Sequence, residues 1–216
     1  MKEDDFGIIV IGSGGHAKVC IEILRDMGEL IDYCIGGIDS LDNCLGVPVV
    51  RGDDNLQHLR NIGYSRVFIA IGSNQLRDYL AKFALEQGYD LVNAISPRAV
   101  VSPSATLGVG IAIMAGVVIN AEAIIEDLSI VNTGTTIDHD CFVGRGSHIA
   151  PQCALAGNVK VGSRSFLGIG SKVLPGVSVG TQTIIGAGSV VISDIGSNVT
   201  AVGVPARVIK SIEVEK

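Results

Sequence analysis

Residues 131–173 read VNTGTT-IDHDCF-VGRGSH-IAPQCA-LAGNVK-VGSRSF-LGIGSK-V when they are written in groups of six. Every group begins with Val, Ile or Leu, and its fifth residue is small or β-branched. The aliphatic position recurs seventeen times without a break between Ile95 and Val191. An ordinary strand alternates with a period of two, which does not produce this pattern. An internal repeat of this length predicts a solenoid.

The repeat also predicts the shape of each coil. Six residues form one short side, and three sides close a triangular coil of about eighteen residues. We expect the aliphatic residue to point inward and the fifth residue to fill a tight inner position. Cys141 and Cys153 fall at that fifth place and are expected to be small buried side chains. The five cysteines include no C-x-x-C pair, which argues against disulfides and a zinc site.

The first 94 residues follow another pattern, in which short apolar runs alternate with helical spacing of apolar residues. This β-α-β alternation predicts a small parallel sheet covered by helices. We therefore expect a Rossmann-like α/β domain over residues 1–94 and the repeat domain, with a C-terminal tail, over residues 95–216. Strands are predicted at Phe6–Ile11, Ile31–Ile38, Val67–Ile71 and Leu91–Ala94, and helices at 16–27, Leu56–Ile62 and Gln75–Glu86.

Composition excludes several classes of function. The net charge of −6 and the lack of basic patches argue against nucleic-acid binding. Gly and polar residues interrupt every apolar run, so no membrane span is expected. The acidic start MKEDDFG is unlike a signal peptide, and we expect a cytoplasmic location.

Over residues 95–195 the repeat resembles the hexapeptide acyltransferases, and the segments Ile185–Val191 and Val202–Arg207 resemble the closing segment that those enzymes place beside acetyl-CoA. The stretch IIVIGSGGHAKV, residues 8–19, resembles the start of the sialic acid O-acetyltransferase-like group. That group includes the N-acetyltransferases of nucleotide-linked 4-aminosugars, of the perosamine or bacillosamine-pathway type. The resemblance implies a left-handed parallel β-helix, acetyl-CoA as co-substrate, a homotrimer with active sites at subunit interfaces, and a role in lipopolysaccharide O-antigen biosynthesis.

Acetyl transfer to an amine needs a base, a donor for the oxyanion and a site that holds both substrates. His139 is the candidate base because imidazole has a suitable pKa and its third place in the hexad lets the side chain face outward. Asp140 or Asp138 is expected to orient it, and both remain open. In the resembling enzymes a His followed by an acidic residue holds this place.

Spacing relates three other candidates to His139. Gly157 lies eighteen residues further on, hence one coil along on the same side, where its N–H is expected to face the reacting carbonyl. His148 lies nine residues from His139, which is half a coil, and is expected on another side of the prism. Asn132 precedes His148 by sixteen residues and is expected on its side. Asn132 and His148 are therefore predicted to line the site across a subunit boundary, with His148 near acetyl-CoA.

The turn GSGGHA, residues 12–17, has the G-x-G-x-x-A form of a phosphate-cradling loop between a strand and a helix. An NAD site would need an acidic residue at the end of the second strand, about twenty residues on, and Asp32 and Asp39 are poorly placed for that role. The resemblance instead implies a sugar nucleotide, with Asp39 near the base. A UDP sugar would favour two adjacent acids, but Ser40 follows Asp39. The expected substrate-binding residues are Gly12, Ser13, Gly14, His16, Asp39 and Asn132.

Three further residues are expected to contact acetyl-CoA. Lys172 and Arg207 are candidates for its phosphates, and Ala187 lies in the closing segment. A carbonic anhydrase-like zinc site would need three His ligands, and the repeat domain has only His139 and His148, so no metal is expected. The preferred function is acetyl transfer to the 4-amino group of a nucleotide-linked dideoxysugar such as GDP-perosamine. The alternatives are O-acetylation of sialic acid or another sugar, and a non-catalytic scaffold.

Overall fold

The structure, a computed structural model, describes residues 6–212 of the chain. The chain divides into two compact units, Met1–Pro97 and Arg98–Lys216. The boundary expected from the sequence, between residues 94 and 95, falls three residues before this division.

The first unit is a six-stranded sheet with the strand order β3-β4-β2-β1-β5-β6. Its strands pair in parallel except for the antiparallel hairpin of β3 and β4. The central strand β1 is fully buried, because its four aliphatic residues lie between helices and neighbouring strands. The elements are β1 (Ile8–Ile11), α1 (Gly15–Asp26), β2 (Ile31–Gly36), β3 (Asn43–Cys44), β4 (Val47–Arg51), α2 (Asn55–Asn61), β5 (Arg66–Ile69), α3 (Asn74–Glu86), β6 (Asp90–Leu91) and β7 (Ala94–Ile95).

The sequence misses one element of this unit, and one expectation is wrong. The hairpin β3–β4 has no clear sequence signal, because its turn is formed by Leu45 and Gly46, both with positive φ, and Leu is an unusual residue there. Pro48 also argues against a strand, although β4 tolerates it. The strand predicted at Leu91–Ala94 is instead two short strands, β6 and β7, separated by two residues.

The second unit consists almost entirely of two-residue strands stacked into three parallel sheets, which we call faces I, II and III. The chain visits the faces in turn, and each strand pairs with the strand eighteen residues further on. Face I contains β8 (Val100–Val101), β11 (Val118–Ile119), β14 (Thr136–Ile137), β17 (Ala154–Leu155), β20 (Lys172–Val173) and β23 (Val190–Val191). Face II contains β9 (Thr106–Leu107), β12 (Ile124–Ile125), β15 (Phe142–Val143), β18 (Lys160–Val161) and β21 (Ser178–Val179). Face III includes β10 (Ala112–Ile113), β13 (Ile130–Val131), β16 (His148–Ile149), β19 (Phe166–Leu167), β22 (Ile184–Ile185), β24 (Val199–Gly203) and β25 (Ala206–Ser211).

The predicted inward positions form the core of this prism. Every repeat aliphatic from Ile113 to Val191 is at most 2% exposed. The residue four places later is buried too, and at several of these positions its hydroxyl or thiol donates to a carbonyl about one coil away, as from Ser147 to Gly162 O at 2.9 Å. Cys141 and Cys153 make the same bond, to Ala156 O at 3.1 Å and Gly168 O at 3.2 Å. Both cysteines are therefore small buried side chains, as expected.

The corners of the prism require a left-handed backbone. From Gly110 to Gly188, the fourth residue of every hexad has positive φ. Gly supplies it at seven corners, and residues with side chains, Asp140 among them, supply it at the others. The corner fixes where the third and fourth residues of a hexad lie, and His139 and Asp140 hold these two places.

Within residues 6–212 no helix has both the length and the apolar character needed to cross a membrane.

Candidate active site

His139 and Asp140 lie at the corner between β14 on face I and β15 on face II. Asp140 has a φ of 58°, a conformation that Asp tolerates better than most residues. Its Oδ2 lies 2.7 Å from Nδ1 of His139. Because a carboxylate only accepts, Nδ1 carries the proton and Nε2 of the neutral ring presents a lone pair. In the described part of the chain no protein atom is hydrogen-bonded to Nε2, which leaves it open to a substrate proton.

Asp138 has a different task. Its Oδ1 accepts from the backbone N–H of His139 at 2.8 Å and from Nδ2 of Asn120 at 3.0 Å. These two bonds hold the pKa of the Asp138 carboxyl below its ordinary value. Asp138 thus shapes the corner, whereas Asp140 orients the imidazole, and the question that the sequence left open has a structural answer.

The two carboxylates also set the charge state of His139. The hydrogen bond that His139 donates to Asp140, together with the negative charges of both aspartates, raises the pKa of His139 above its ordinary value of 6.5. A stronger base takes a proton more readily, but the imidazole must first be neutral. Activity that depends on this base is therefore present at higher pH and is lost as the pH falls through the raised pKa.

Gly157 lies directly against the imidazole. A Cβ built on Gly157 would lie 2.5 Å from Cε1 and 2.6 Å from Nε2 of His139. Gly157 is buried, and among residues 6–212 its N–H donates to no protein atom. A backbone donor beside the base is suited to a developing oxyanion.

Lys172 shares a surface with this corner. A groove of about 440 Å³ runs along face I, and Asp138 is part of its lining. Its floor is mostly apolar, and Lys172 is exposed at one side with Nζ 3.4 Å from Gly170 O. The groove is bordered by Val118, Asn120, Thr136, Ala154, Ala156, Leu174 and Pro175.

Asn132 and His148 form a second polar pair, on face III. Oδ1 of Asn132 accepts from the N–H of Thr133 at 2.8 Å, so its Nδ2 is the group that donates to Nε2 of His148, at 3.1 Å. A ring nitrogen that accepts is unprotonated, and His148 is therefore neutral with its proton on Nδ1. Its ring packs edge-on against Phe166, with the centroids 5.2 Å apart.

Ala187 and Arg207 belong to the same side of the prism as His148. Ala187 follows β22 at the corner between faces III and I, and Arg207 lies in β25, the last strand of face III. Both are exposed, and Arg207 donates to the carbonyl of Ala206 at 2.9 Å. Neither residue is hydrogen-bonded to the His139–Asp140 pair. The residues expected to hold acetyl-CoA thus fall into two groups within one chain: Gly157 and Lys172 near His139, and His148, Ala187 and Arg207 on face III.

The glycine turn of the first unit lies at the carboxyl edge of its sheet. Gly12 has a φ of 123°, and a Cβ there would lie 2.6 Å from Ala70 O, so only glycine fits. Gly14 is the N-cap of α1 and has open space beside it. Ser13 donates from Oγ to Oγ of Ser40 at 2.8 Å, which joins the turn to the loop after β2. Asp39 is exposed in that loop.

His16 is half-buried in the first turn of α1, with Nε2 3.6 Å from Sγ of Cys20. Burial, and secondarily the charge of Arg77, lowers the pKa of His16 to about 4. His16 is therefore neutral at physiological pH. The effect of Arg77 on the pKa of His16 and the Ser13–Ser40 bond cannot be predicted from the sequence, because both depend on loops that only the sheet brings together.

No group of three or more His, Cys, Asp and Glu side chains within residues 6–212 is arranged to hold a metal ion.

Two domain families match the chain: the PglD N-terminal domain over residues 7–83 and the bacterial transferase hexapeptide (six repeats) over residues 158–193. The crystal structure of PerB from Caulobacter crescentus in complex with CoA and GDP-perosamine is 52% identical, with a TM-score of 0.92 over 95% of this chain and 98% of PerB. The chain belongs to the hexapeptide-repeat N-acetyltransferases of nucleotide-linked aminosugars. Its fold class, an α/β domain followed by a left-handed β-helix, is thereby confirmed.

Two other structures place the enzyme within this family. One is the perosamine N-acetyltransferase of Caulobacter crescentus with a histidine replaced by asparagine, in complex with CoA and GDP-perosamine (51% identity, TM-score 0.93, 96% of this chain and 98% of that chain). The other is the acetyltransferase domain of PglB from Neisseria gonorrhoeae in complex with acetyl coenzyme A (34% identity, TM-score 0.87, 94% of this chain and 98% of that chain).

The roles of Asp140 and Asp138 can be separated through the pH dependence of kcat/KM. Asp140→Asn retains a residue that tolerates positive φ but removes the carboxylate, so we expect the acidic limb to move to lower pH and turnover to fall by about tenfold or more. Asp138→Asn is the matched control, since an amide oxygen still accepts from His139 N and the imidazole keeps Asp140. An equal shift in both variants would contradict the assignment of Asp140 as the orienting residue.

The contact between Gly157 and His139 predicts a local effect of Gly157→Ala. The new methyl group would displace the imidazole, and we expect turnover to fall by about tenfold to a hundredfold with little change in the melting temperature. Gly196→Ala is a suitable control, because a Cβ at Gly196 meets no atom within 4 Å. Unchanged turnover in Gly157→Ala would show that the imidazole position is not critical.

Proposed function

We propose that this enzyme transfers the acetyl group of acetyl-CoA to the 4-amino group of a GDP-linked 4-amino-4,6-dideoxysugar, GDP-perosamine or a close relative. The observation that carries the proposal is the His139–Asp140 pair, a base with an open Nε2 whose imidazole packs against Gly157. Similarity to PerB over nearly the whole chain supports the choice of acceptor.

The reaction follows from these positions. The 4-amino group attacks the thioester carbonyl carbon as a neutral amine, the C–N bond forms and the oxygen becomes an oxyanion that the N–H of Gly157 stabilises. Nε2 of His139 takes the proton from the amine nitrogen, and Asp140 stabilises the resulting imidazolium. Collapse breaks the C–S bond, and the proton passes to the CoA sulfur. No covalent acetyl-enzyme is required.

A guanine base suits the loop after β2. The Watson–Crick edge of guanine offers two adjacent N–H donors, which one carboxylate can accept with its two oxygens. Uracil offers a single ring N–H between two carbonyl oxygens. Asp39 supplies the one carboxylate, and Ser40 is hydrogen-bonded to Ser13 of the glycine turn, so that base and diphosphate sites are joined.

A complete site needs two copies of the chain. His139 lies at the corner between faces I and II, whereas Asn132 and His148 lie on face III, half a coil away. One subunit of a homotrimer would present the His139 corner and the groove on face I, and its neighbour would present His148, Ala187 and Arg207. Acetyl-CoA would lie between them, with the enzyme working in the cytoplasm where this co-substrate is available.

Release of CoA from acetyl-CoA tests the reaction. We expect rapid release with GDP-perosamine, little with a UDP-linked 4-aminosugar, and none with GDP-mannose, which presents a hydroxyl where perosamine has the amine. Release with sialic acid alone would favour the O-acetyltransferase alternative. Release with no acceptor in the panel would favour a scaffold.

Mixed trimers test the shared site. We expect His139→Ala and His148→Ala each to lose activity by orders of magnitude, His139→Ala because the base is missing. If each site takes His139 from one chain and His148 from its neighbour, an equimolar co-assembly should recover about a quarter of the wild-type activity, because a quarter of the interfaces are intact. If both residues act within one chain, every site keeps a defect and no activity returns.

A further inference from the structure

Arg77 is a charged residue in the interior of the first unit. It lies in the first turn of α3 and is 1% exposed. Burial lowers the pKa of its guanidinium only to about 10, so it carries a full positive charge at neutral pH. Removing such a group from water costs free energy, which makes an arginine at this position unusual unless its charge or its hydrogen bonds are needed.

Three hydrogen bonds of Arg77 are directed to one short segment. Nη1 donates to the carbonyls of Ile71 at 2.9 Å and Gly72 at 3.2 Å, and Nη2 donates to Oδ1 of Asn74 at 2.8 Å. This segment, residues 71–74, belongs to the connection after β5 and includes the first residue of α3. Three bonds from one planar group hold the segment in a single shape.

The same connection forms a wall of the glycine turn. Ala70 N donates to Ile11 O at 2.8 Å, directly before the turn begins. A Cβ at Gly12 would lie 2.6 Å from Ala70 O and 3.2 Å from Cδ1 of Ile71. A shift of the connection by a few tenths of an ångström would therefore change the shape of the turn.

The charge of Arg77 also reaches the start of α1. It lowers the pKa of His16, in addition to burial, and opposes the effect of burial on the Cys20 thiol. A buried charge is poorly screened by water and salt, so it acts over a longer distance than a surface arginine would.

We propose that Arg77 is a positioning residue for the sugar nucleotide: its buried guanidinium fixes the connection of residues 71–74 against the Gly12–Gly15 turn and places a permanent positive charge behind it, which favours the diphosphate. The inference rests on the proposed function, since the diphosphate is that of the GDP-linked sugar. It assigns the phosphate affinity of the turn partly to a residue that does not touch the ligand.

The test compares the binding of GDP and of guanosine by calorimetry. In Arg77→Met, which keeps the bulk and removes the charge, we expect GDP to bind about tenfold to a hundredfold more weakly, while guanosine, which has no phosphate, binds as to the wild type. The KM for the GDP-sugar should rise, and kcat at saturation and the KM for acetyl-CoA should stay within about twofold. Arg77→Lys, which keeps the charge, should recover part of the GDP affinity.

Arg66→Met is the matched control, because Arg66 lies at the start of β5, the strand that precedes the wall, and forms a half-exposed ion pair with Glu29 at 2.9 Å. This variant should leave GDP binding unchanged. Equal GDP affinity in Arg77→Met and wild type would overturn the inference, as would an equal loss for GDP and guanosine. If Arg77→Met fails to fold, Asn74→Ala removes one acceptor of the guanidinium and should weaken the binding of GDP but not of guanosine. Unchanged GDP binding in Asn74→Ala would also overturn the inference. Failure of the wild-type enzyme to bind GDP would instead refute the proposed function.

Discussion

The stacking of each inward aliphatic side chain on its counterpart eighteen residues later is the contact on which the corner of His139 and Asp140 depends. Val143, Val161 and Val179, for example, form one column on face II that excludes water along the prism. Aliphatic burial of this kind contributes about 25 cal/mol per Å² of apolar surface. Because the repeat is strict, a residue's place in the hexad decides whether it faces the core, the outer surface or a corner.

That constraint explains how a local sequence becomes a site. The corner needs a residue with positive φ, and Asp140 meets this need while its carboxylate reaches Nδ1 of the preceding histidine. One coil later the place that His139 holds in its hexad is occupied by Gly157, which leaves room for the imidazole. The candidate site thus arises from particular side chains placed at a backbone corner that recurs from hexad to hexad. The backbone of the coil is the same there as at the other corners.

The three histidines that we assign to binding or catalysis have different environments, and the pKa of His139 is shifted in the opposite direction from that of His16. The hydrogen bond to the carboxylate of Asp140 raises the pKa of His139, so that it is a stronger base than an ordinary imidazole. His148 is neutral because its Nε2 accepts a hydrogen bond from Asn132, and His16 is neutral because burial, with the nearby charge of Arg77, lowers its pKa. His139, which we propose takes up the proton, donates its Nδ1–H to the carboxylate of Asp140.

The sequence by itself determined the coil, the face of every residue in the repeat and the alignments of His139 with Gly157 and of Asn132 with His148, because all of these follow from a period of six. It also determined the order of the two domains and the glycine turn between β1 and α1. Only the tertiary structure decided which aspartate orients His139, since Asp138 and Asp140 are both one residue away and differ in side-chain direction. It likewise decided the bond between Ser13 and Ser40 and the place of Arg77 behind the turn, because these contacts join loops whose distance depends on strand order rather than on spacing along the chain.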